Sequence, residues 1–108
     1  MPEKKIRGGS LIARALRDKG IENVFTLSGG FCNPALEGLM ECQIDVINCP
    51  HEQIAGHLAD GHTRITRKPT VCLVGPEGFA NAVPSMMEAW GERSPVIFIT
   101  GSSSLRRQ

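Results

Sequence analysis

Thr70-Val71-Cys72-Leu73-Val74-Gly75-Pro76-Glu77-Gly78 is the stretch whose reading decides the fold. Its first five residues form a near-continuous apolar run without alternation, so the strand they predict is covered on both faces. Strands of that kind belong to parallel sheets with helices packed on each side. Gly75, Pro76 and Gly78 then stop the strand in a turn. Beyond the turn, Val83, Met86, Met87 and Trp90 recur at spacings of three and four. That spacing predicts a helix, with Pro84 in its first turn, where a missing N–H costs little.

The same unit repeats on either side. Downstream, Val96-Ile97-Phe98-Ile99-Thr100 reads as another apolar strand, followed by Gly101-Ser102-Ser103-Ser104. Upstream, His51 to about Thr66 reads as a helix with Ile54, Leu58 and Ile65 near one face, ended by Lys68-Pro69. Ile44 to Cys49 reads as a strand stopped by Pro50. Asn33-Pro34 opens a further helix, Asn33 as its cap and Pro34 as its first helical residue, with Ala35, Leu36, Leu39 and Met40 as the apolar face. Ile21 to Leu27 reads as a strand broken by Ser28-Gly29-Gly30. The first helix runs from Leu11 to Lys19, with Leu11, Ile12, Ala15 and Leu16 as its stripe, Ser10 as N-cap and Gly20 as stop.

Helix and strand therefore alternate four times. This predicts an α/β fold, one parallel sheet flanked by helices on both faces. Ligands of such sheets sit beyond the carboxyl ends of the strands. Ser28-Gly29-Gly30, Pro50-His51-Glu52, Gly75 to Gly78 and Gly101-Ser102 occupy those ends and frame the candidate site.

Composition narrows the function. The chain has 108 residues, 41% hydrophobic and 21% charged, with 12 Lys+Arg against 11 Asp+Glu. That is one domain with enough apolar content for a real core, which excludes disorder. A net charge of +1 offers no basic face for nucleic acid, and four Phe, one Trp and no Tyr leave no base-stacking platform. No apolar run is long enough for a signal peptide or a membrane span, so the expected location is the cytoplasm, with no membrane partner. Cys32, Cys42, Cys49 and Cys72 contain no Cys-x-x-Cys pair and read as free thiols.

Three constellations were candidates for chemistry. Neither Gly-x-Gly-x-x-Gly nor the Walker pattern is present, so Gly29-Gly30 and Gly75-x-x-Gly78 read as turns rather than nucleotide loops. His51-Glu52 and His57 approach the His-Glu-x-x-His zinc helix, but the second histidine is six residues on instead of four. Six steps of about 100° leave the two imidazoles about 120° apart, so no metal site is assigned. Glu52 remains. It falls in the first turn of a helix after a strand, where it either complements the helix dipole in solvent or is held for proton chemistry. Position alone leaves both readings open.

The ordered set of motifs goes further. Ala15-Leu16 to Val24-Phe25, the Gly29-Gly30 turn, His51-Glu52-Gln53, Ala59-Asp60-Gly61-x-x-Arg64, Lys68-Pro69, Gly78-Phe79-Ala80-Asn81-Ala82-Val83 and Ser94-Pro95-Val96-Ile97 occur in this order. Together they resemble the N-terminal pyrimidine-binding domain of thiamine-diphosphate enzymes of the acetolactate synthase type, over nearly the whole chain. The resemblance implies that residues 1–108 are that domain in part, and that thiamine diphosphate is the cofactor. It also implies that Glu52 is catalytic, hydrogen-bonding N1′ of the aminopyrimidine so that the 4′-nitrogen can take the C2 proton. A carboxyl doing this works best in a dry pocket. Gly78, Asn81 and Pro76 match the loop against the pyrimidine. Gly29, Gly30, Phe31 and Gln53 match the substrate side.

Two departures from the family pattern stand out. The loop before Asn81 is one residue shorter than usual and carries an acidic Glu77. The family's diphosphate-binding domain, whose Gly-Asp-Gly pattern holds Mg²⁺, is not found in this sequence. The expectation is an N-terminal piece, or a separately encoded short piece, of a carboligase or lyase acting on small 2-ketoacids. A 2-ketoacid decarboxylase, a 2-hydroxyacyl-CoA lyase and a non-catalytic module of the same fold are the alternatives. The implied partner is the diphosphate-binding domain of a second subunit in a homodimer or homotetramer, and the chain by itself is expected to be inactive.

Overall fold

The computed structural model describes residues 5–27 and 32–102. Its elements are α1 (Gly8–Asp18), β1 (Asn23–Thr26), α2 (Asn33–Glu41), β2 (Asp45–Asn48), α3 (Glu52–Thr66), β3 (Thr70–Val74), α4 (Phe79–Gly91) and β4 (Val96–Thr100). The strands form one sheet in the order β2-β1-β3-β4. Every pairing is parallel, with Phe25 opposite both Ile47 and Cys72, and Cys72 opposite Phe98. The predicted α/β architecture is the one observed.

Side chains alternate through the sheet into two cores. Val24, Val71 and Leu73 pack with Ala13 and Leu39 of α1 and α2. Phe25, Cys72 and Val74 pack with Ala55, Ala59 and Ala82 of α3 and α4. The quoted stretch therefore sits at the centre: all five residues of β3 are buried. Each fully buried Val or Leu there contributes about 1.5–3 kcal/mol relative to exposure. Buried hydroxyls are matched, Thr26 Oγ1 to the Leu73 carbonyl at 2.6 Å and Thr63 to Thr70 at 2.7 Å.

The helices bury different faces from those the stripes predicted. In α1 the buried residues are Gly9, Ser10 and Ala13, while Leu11 and Ile12 are exposed. In α3 they are Glu52, Ala55, Gly56, Ala59, Asp60 and Thr63, while Ile54, Leu58 and Ile65 face outward. In α4 they are Ala82, Ser85 and Ala89, while Val83, Met87 and Trp90 are exposed. Only α2 follows the expectation, through Leu39, and even there Met40 is exposed. The physical reason is close approach. A Cβ on Gly9 would strike the Pro34 carbonyl, one on Gly38 would lie 2.5 Å from the Gly9 carbonyl oxygen, and one on Gly56 would strike Ser85 Oγ. Helices this close have room only for small residues at the crossing.

The helix ends also correct the sequence reading. Ser10 is not the cap of α1: Arg7 is, and the Ser10 hydroxyl instead donates to Glu41 at 3.1 Å. Asn33 is the first residue of α2, not its cap, so Pro34 is the second. Pro84 lies in the second turn of α4, as its sixth residue, rather than in the first. Among the described residues α1, α2 and α4 close alike. Gly20, Gln43 and Arg93 take positive φ of 84°, 60° and 56°. The next residue then donates back to a carbonyl in the last turn: Ile21 to Leu16, Ile44 to Leu39 and Ser94 to Ala89. This tie explains why β1 and β2 start two and one residues later than read.

Candidate functional site

The chain leaves β1 for β2 on one side and β3 for β4 on the other, so the order reverses between β1 and β3. The crevice beyond their carboxyl ends is where such sheets bind ligands. Three described segments meet near it. Cys32 Sγ donates to the Val74 carbonyl at 3.3 Å, and the Gly101 N–H donates to the same oxygen at 3.2 Å. The third is the start of α3.

Pro50 ends β2, and His51 takes an extended backbone (φ −157°, ψ 148°) that turns the chain into α3. Its ring caps the helix: the Gln53 N–H donates to His51 Nδ1 at 3.0 Å. A histidine in this role was not anticipated, because Ser, Thr, Asp and Asn are the usual caps. Glu52 is thereby the first residue of α3 and is only 8% exposed. It lies at the positive end of the helix dipole, and its burial argues against a freely solvated carboxylate.

Two residues of the next unit hold it. Asn81 Nδ2 donates to Glu52 Oε1 at 3.2 Å. Gly78 lies against the other side of the carboxyl group. A Cβ there would sit 2.6 Å from Glu52 Cγ and 2.9 Å from Oε2. Gly78 has φ −80°, so its identity is set by the carboxylate beside it and not by backbone conformation. Oε2 has no hydrogen-bond partner among the described residues. The result is a buried carboxylate with one oxygen anchored and one open at the mouth of the sheet.

The structure thus brings Glu52, Gly78 and Asn81 together. Pro76 is half-buried in the same turn, and Gln53 is half-buried one residue along α3. Glu77 is exposed, its Oε2 lying over Gly75. Gly29, Gly30 and Phe31 lie outside the described residues. The histidines go elsewhere. His57 is exposed, while His62 bonds Asn23 at 3.2 Å and tilts against Phe25 at 5.7 Å. Among the described residues no group of three or more His, Cys, Asp or Glu could hold a metal, and no helix is long and apolar enough to cross a membrane.

The three buried thiols are held in their protonated, unreactive form. Burial pushes Cys72 up to about 12, with Cys49 nearby adding to it. Burial also raises Cys32 and Cys49, against the opposing pull of backbone hydrogen bonds. A protonated thiol does not attack.

The Asp60-to-Arg64 spacing, quoted only as part of a motif, turns out to be a buried anchor. Asp60 is 3% exposed and receives Arg64 through two hydrogen bonds of 3.0 and 2.9 Å. Burial pushes its carboxyl up, but hydrogen bonds from Arg64 and Ser94 outweigh that and carry it below its ordinary value.

Residues 6–108 match the family described as thiamine pyrophosphate enzyme, N-terminal TPP binding domain. The chain is 36% identical over 107 residues to a probable acetolactate synthase of Mycobacterium bovis, covering 98% of this chain and 20% of that one. It is 33% identical over 101 residues to a probable 2-ketoarginine decarboxylase of Pseudomonas aeruginosa, covering 92% and 18%. The fold is shared with the thiamine diphosphate-dependent 4-hydroxybenzoylformate decarboxylase of Rhodococcus jostii, at a TM-score of 0.83 and 22% identity, covering 93% and 19%. The chain spans about a fifth of the length of these relatives. With a family match across nearly all its residues, the chain belongs to the thiamine pyrophosphate enzymes, as their N-terminal TPP binding domain.

Proposed function

We propose that this domain serves an enzyme that joins or splits carbon–carbon bonds of small 2-ketoacids, as acetolactate synthase does, with Glu52 activating the aminopyrimidine of thiamine diphosphate. The observation that carries the reading is the state of Glu52: buried, fixed through Oε1 by Asn81, and open at Oε2 beside the bare Cα of Gly78. These residues fit the group. A ring nitrogen needs one hydrogen-bonding carboxyl oxygen, and Oε2 is the one left open. When bound, the cofactor supplies an electron sink for the reacting carbonyl carbon.

Each residue then has a task. Glu52 holds a proton between Oε2 and the ring nitrogen. Asn81 keeps the carboxyl group from rotating. Gly78 leaves the space that the Glu52 carboxyl group occupies, and Pro76 stiffens the turn behind it. Gln53, with Gly29, Gly30 and Phe31, belongs to the substrate side. The diphosphate-binding domain of a second subunit, carrying Mg²⁺, would close the mouth in a homo-oligomer. Supporting this, apolar Ile54 and Leu58 of α3 and Val83 and Met87 of α4 are exposed on the two helices that begin at the site. The 33% identity to a 2-ketoarginine decarboxylase favours 2-ketoacid decarboxylation as the second reading.

The test is the exchange of the cofactor's C2 proton for deuterium in an enzyme carrying this domain. Glu52→Gln should slow exchange at least about 100-fold with an unchanged circular dichroism spectrum. Exchange at the original rate would remove Glu52 from the role.

A further inference from the structure

At the opposite end of α3, about 20 Å from Glu52 by helix rise, lies a cavity of about 310 Å³. Its walls are Thr63, Arg64, Arg67, Glu92, Arg93, Ser94 and Pro95. We propose that it binds a small dianion of the phosphate class, held by the guanidinium groups of Arg64, Arg67 and Arg93.

Arg64 is fixed in place by buried Asp60 and also reaches Glu88 at 3.3 Å, so its direction is set before any ligand arrives. Arg67 and Arg93 have no ion-pair partner among the described residues. Asp60 and Glu88 take up the charge of Arg64, so the guanidinium groups of Arg67 and Arg93 carry the attraction, opposed in the wall by Glu92 alone. Guanidinium forks match phosphate oxygens two at a time.

The backbone makes the same point. Arg67 and Arg93 take φ of 63° and 56°, where glycine is the ordinary residue. Both line this one cavity, each just past the C-terminal end of a helix. Ser94 adds a hydroxyl beside them and is itself tied to Asp60. The cavity exceeds the size of inorganic phosphate, which leaves room for the organic part of a phosphate ester.

The site is distinct from Glu52, so it stands or falls independently of the proposed function. The test is titration of the ¹⁵N-labelled 108-residue chain with inorganic phosphate and, separately, glycerol 3-phosphate, at constant ionic strength. Shifts should concentrate at Arg67, Arg93 and Ser94, saturating in the millimolar range. The double variant Arg67→Asn/Arg93→Asn keeps residues that tolerate the left-handed backbone and should weaken binding at least about tenfold. Glu92→Gln should tighten it, and Gln43→Asn, the same kind of swap far from the cavity, should leave it unchanged. Tighter binding of the ester than of phosphate assigns an organic phosphate; equal binding assigns the free anion. Shifts spread over all lysines and arginines, or an unchanged affinity in the double variant, would overturn the site.

Discussion

On one face of the sheet α1 crosses α2 where Gly9 and Gly38 bring backbone against backbone, and on the other α3 meets α4 where Gly56 faces Ser85. Both helix layers use small residues for closeness, but they finish their outer surfaces differently. Charge bridges both, Arg7 to Glu37 at 2.6 Å and Glu41 at 3.3 Å in the first layer and Arg64 to Glu88 at 3.3 Å in the second. The second presents Ile65, Met87 and Trp90, which are 85%, 61% and 79% exposed. It also carries Glu52 and Asn81 at one end and the arginine cavity at the other. Both layers leave large apolar residues outside their cores, Leu11, Ile12 and Met40 in the first, but the second exposes more of them and also carries the candidate site.

The comparison can be broken at its tightest point first. Gly38→Val places a branched side chain against backbone atoms of α1 that cannot move aside. We expect a loss of about 3 kcal/mol or more in chemical denaturation, enough to unfold a small domain. A loss under about 1 kcal/mol would show that the α1–α2 crossing is looser than its geometry.

The second layer should be more forgiving, because Gly56 faces a side chain. Gly56→Ala should cost about 1–3 kcal/mol. Adding Ser85→Gly should return part of that loss by removing the obstructing atoms, with the same denaturation midpoint as readout. If the rescue fails, the backbone there and not Ser85 sets the spacing.

Asp60 offers a pH test of the same layer. Its carboxyl lies lower in the folded chain than unfolded, so its contribution is present above the unfolded value near 3.9. It is lost as pH falls below that through the still lower folded value. Asp60→Asn should remove about 1 kcal/mol at neutral pH, limited by the exposure of Arg64, and flatten this part of the stability curve. An unflattened curve would place the acid sensitivity elsewhere.

The smallest effect concerns the first layer's exit. Gln43 holds φ 60°, a strain that glycine relieves. Gln43→Gly should raise the midpoint by a net gain of about 0.5 kcal/mol, relief of the left-handed strain exceeding the added chain entropy. A decrease would mean that the Gln43 side chain contributes contacts of its own.

Some of this was legible beforehand, and the pattern of success is instructive. β3 and β4 match their reading residue for residue: β3 because a strand buried on both faces must be apolar throughout, and β4, a half-covered edge strand, because its apolar run is bounded by Pro95 and Gly101. The helix faces misled because periodicity marks where large apolar residues recur, and in α1, α3 and α4 those residues face outward. Glycine and serine carry no hydrophobic signal, so Gly9, Gly38, Gly56 and Ser85 gave no sign of being the contacts. Caps misled for a related reason: Ser10 is a good cap by type, but the Glu41 carboxylate, 31 residues away, takes its hydroxyl.

The sequence by itself determined the alternation of helix and strand, the parallel sheet, the family, and the grouping of Glu52, Gly78 and Asn81 as a candidate site. These rest on local composition and on motif order, which need no coordinates. Only the tertiary structure decided that Glu52 is buried, that Asn81 anchors one of its oxygens, and that Gly78 is glycine because a carboxylate lies against it. It alone showed which helix faces meet and that three arginines share one cavity. The reason is distance along the chain. Glu52 and Asn81 are 29 residues apart, and only the sheet between them fixes the few ångströms that separate a solvated acid from a held one.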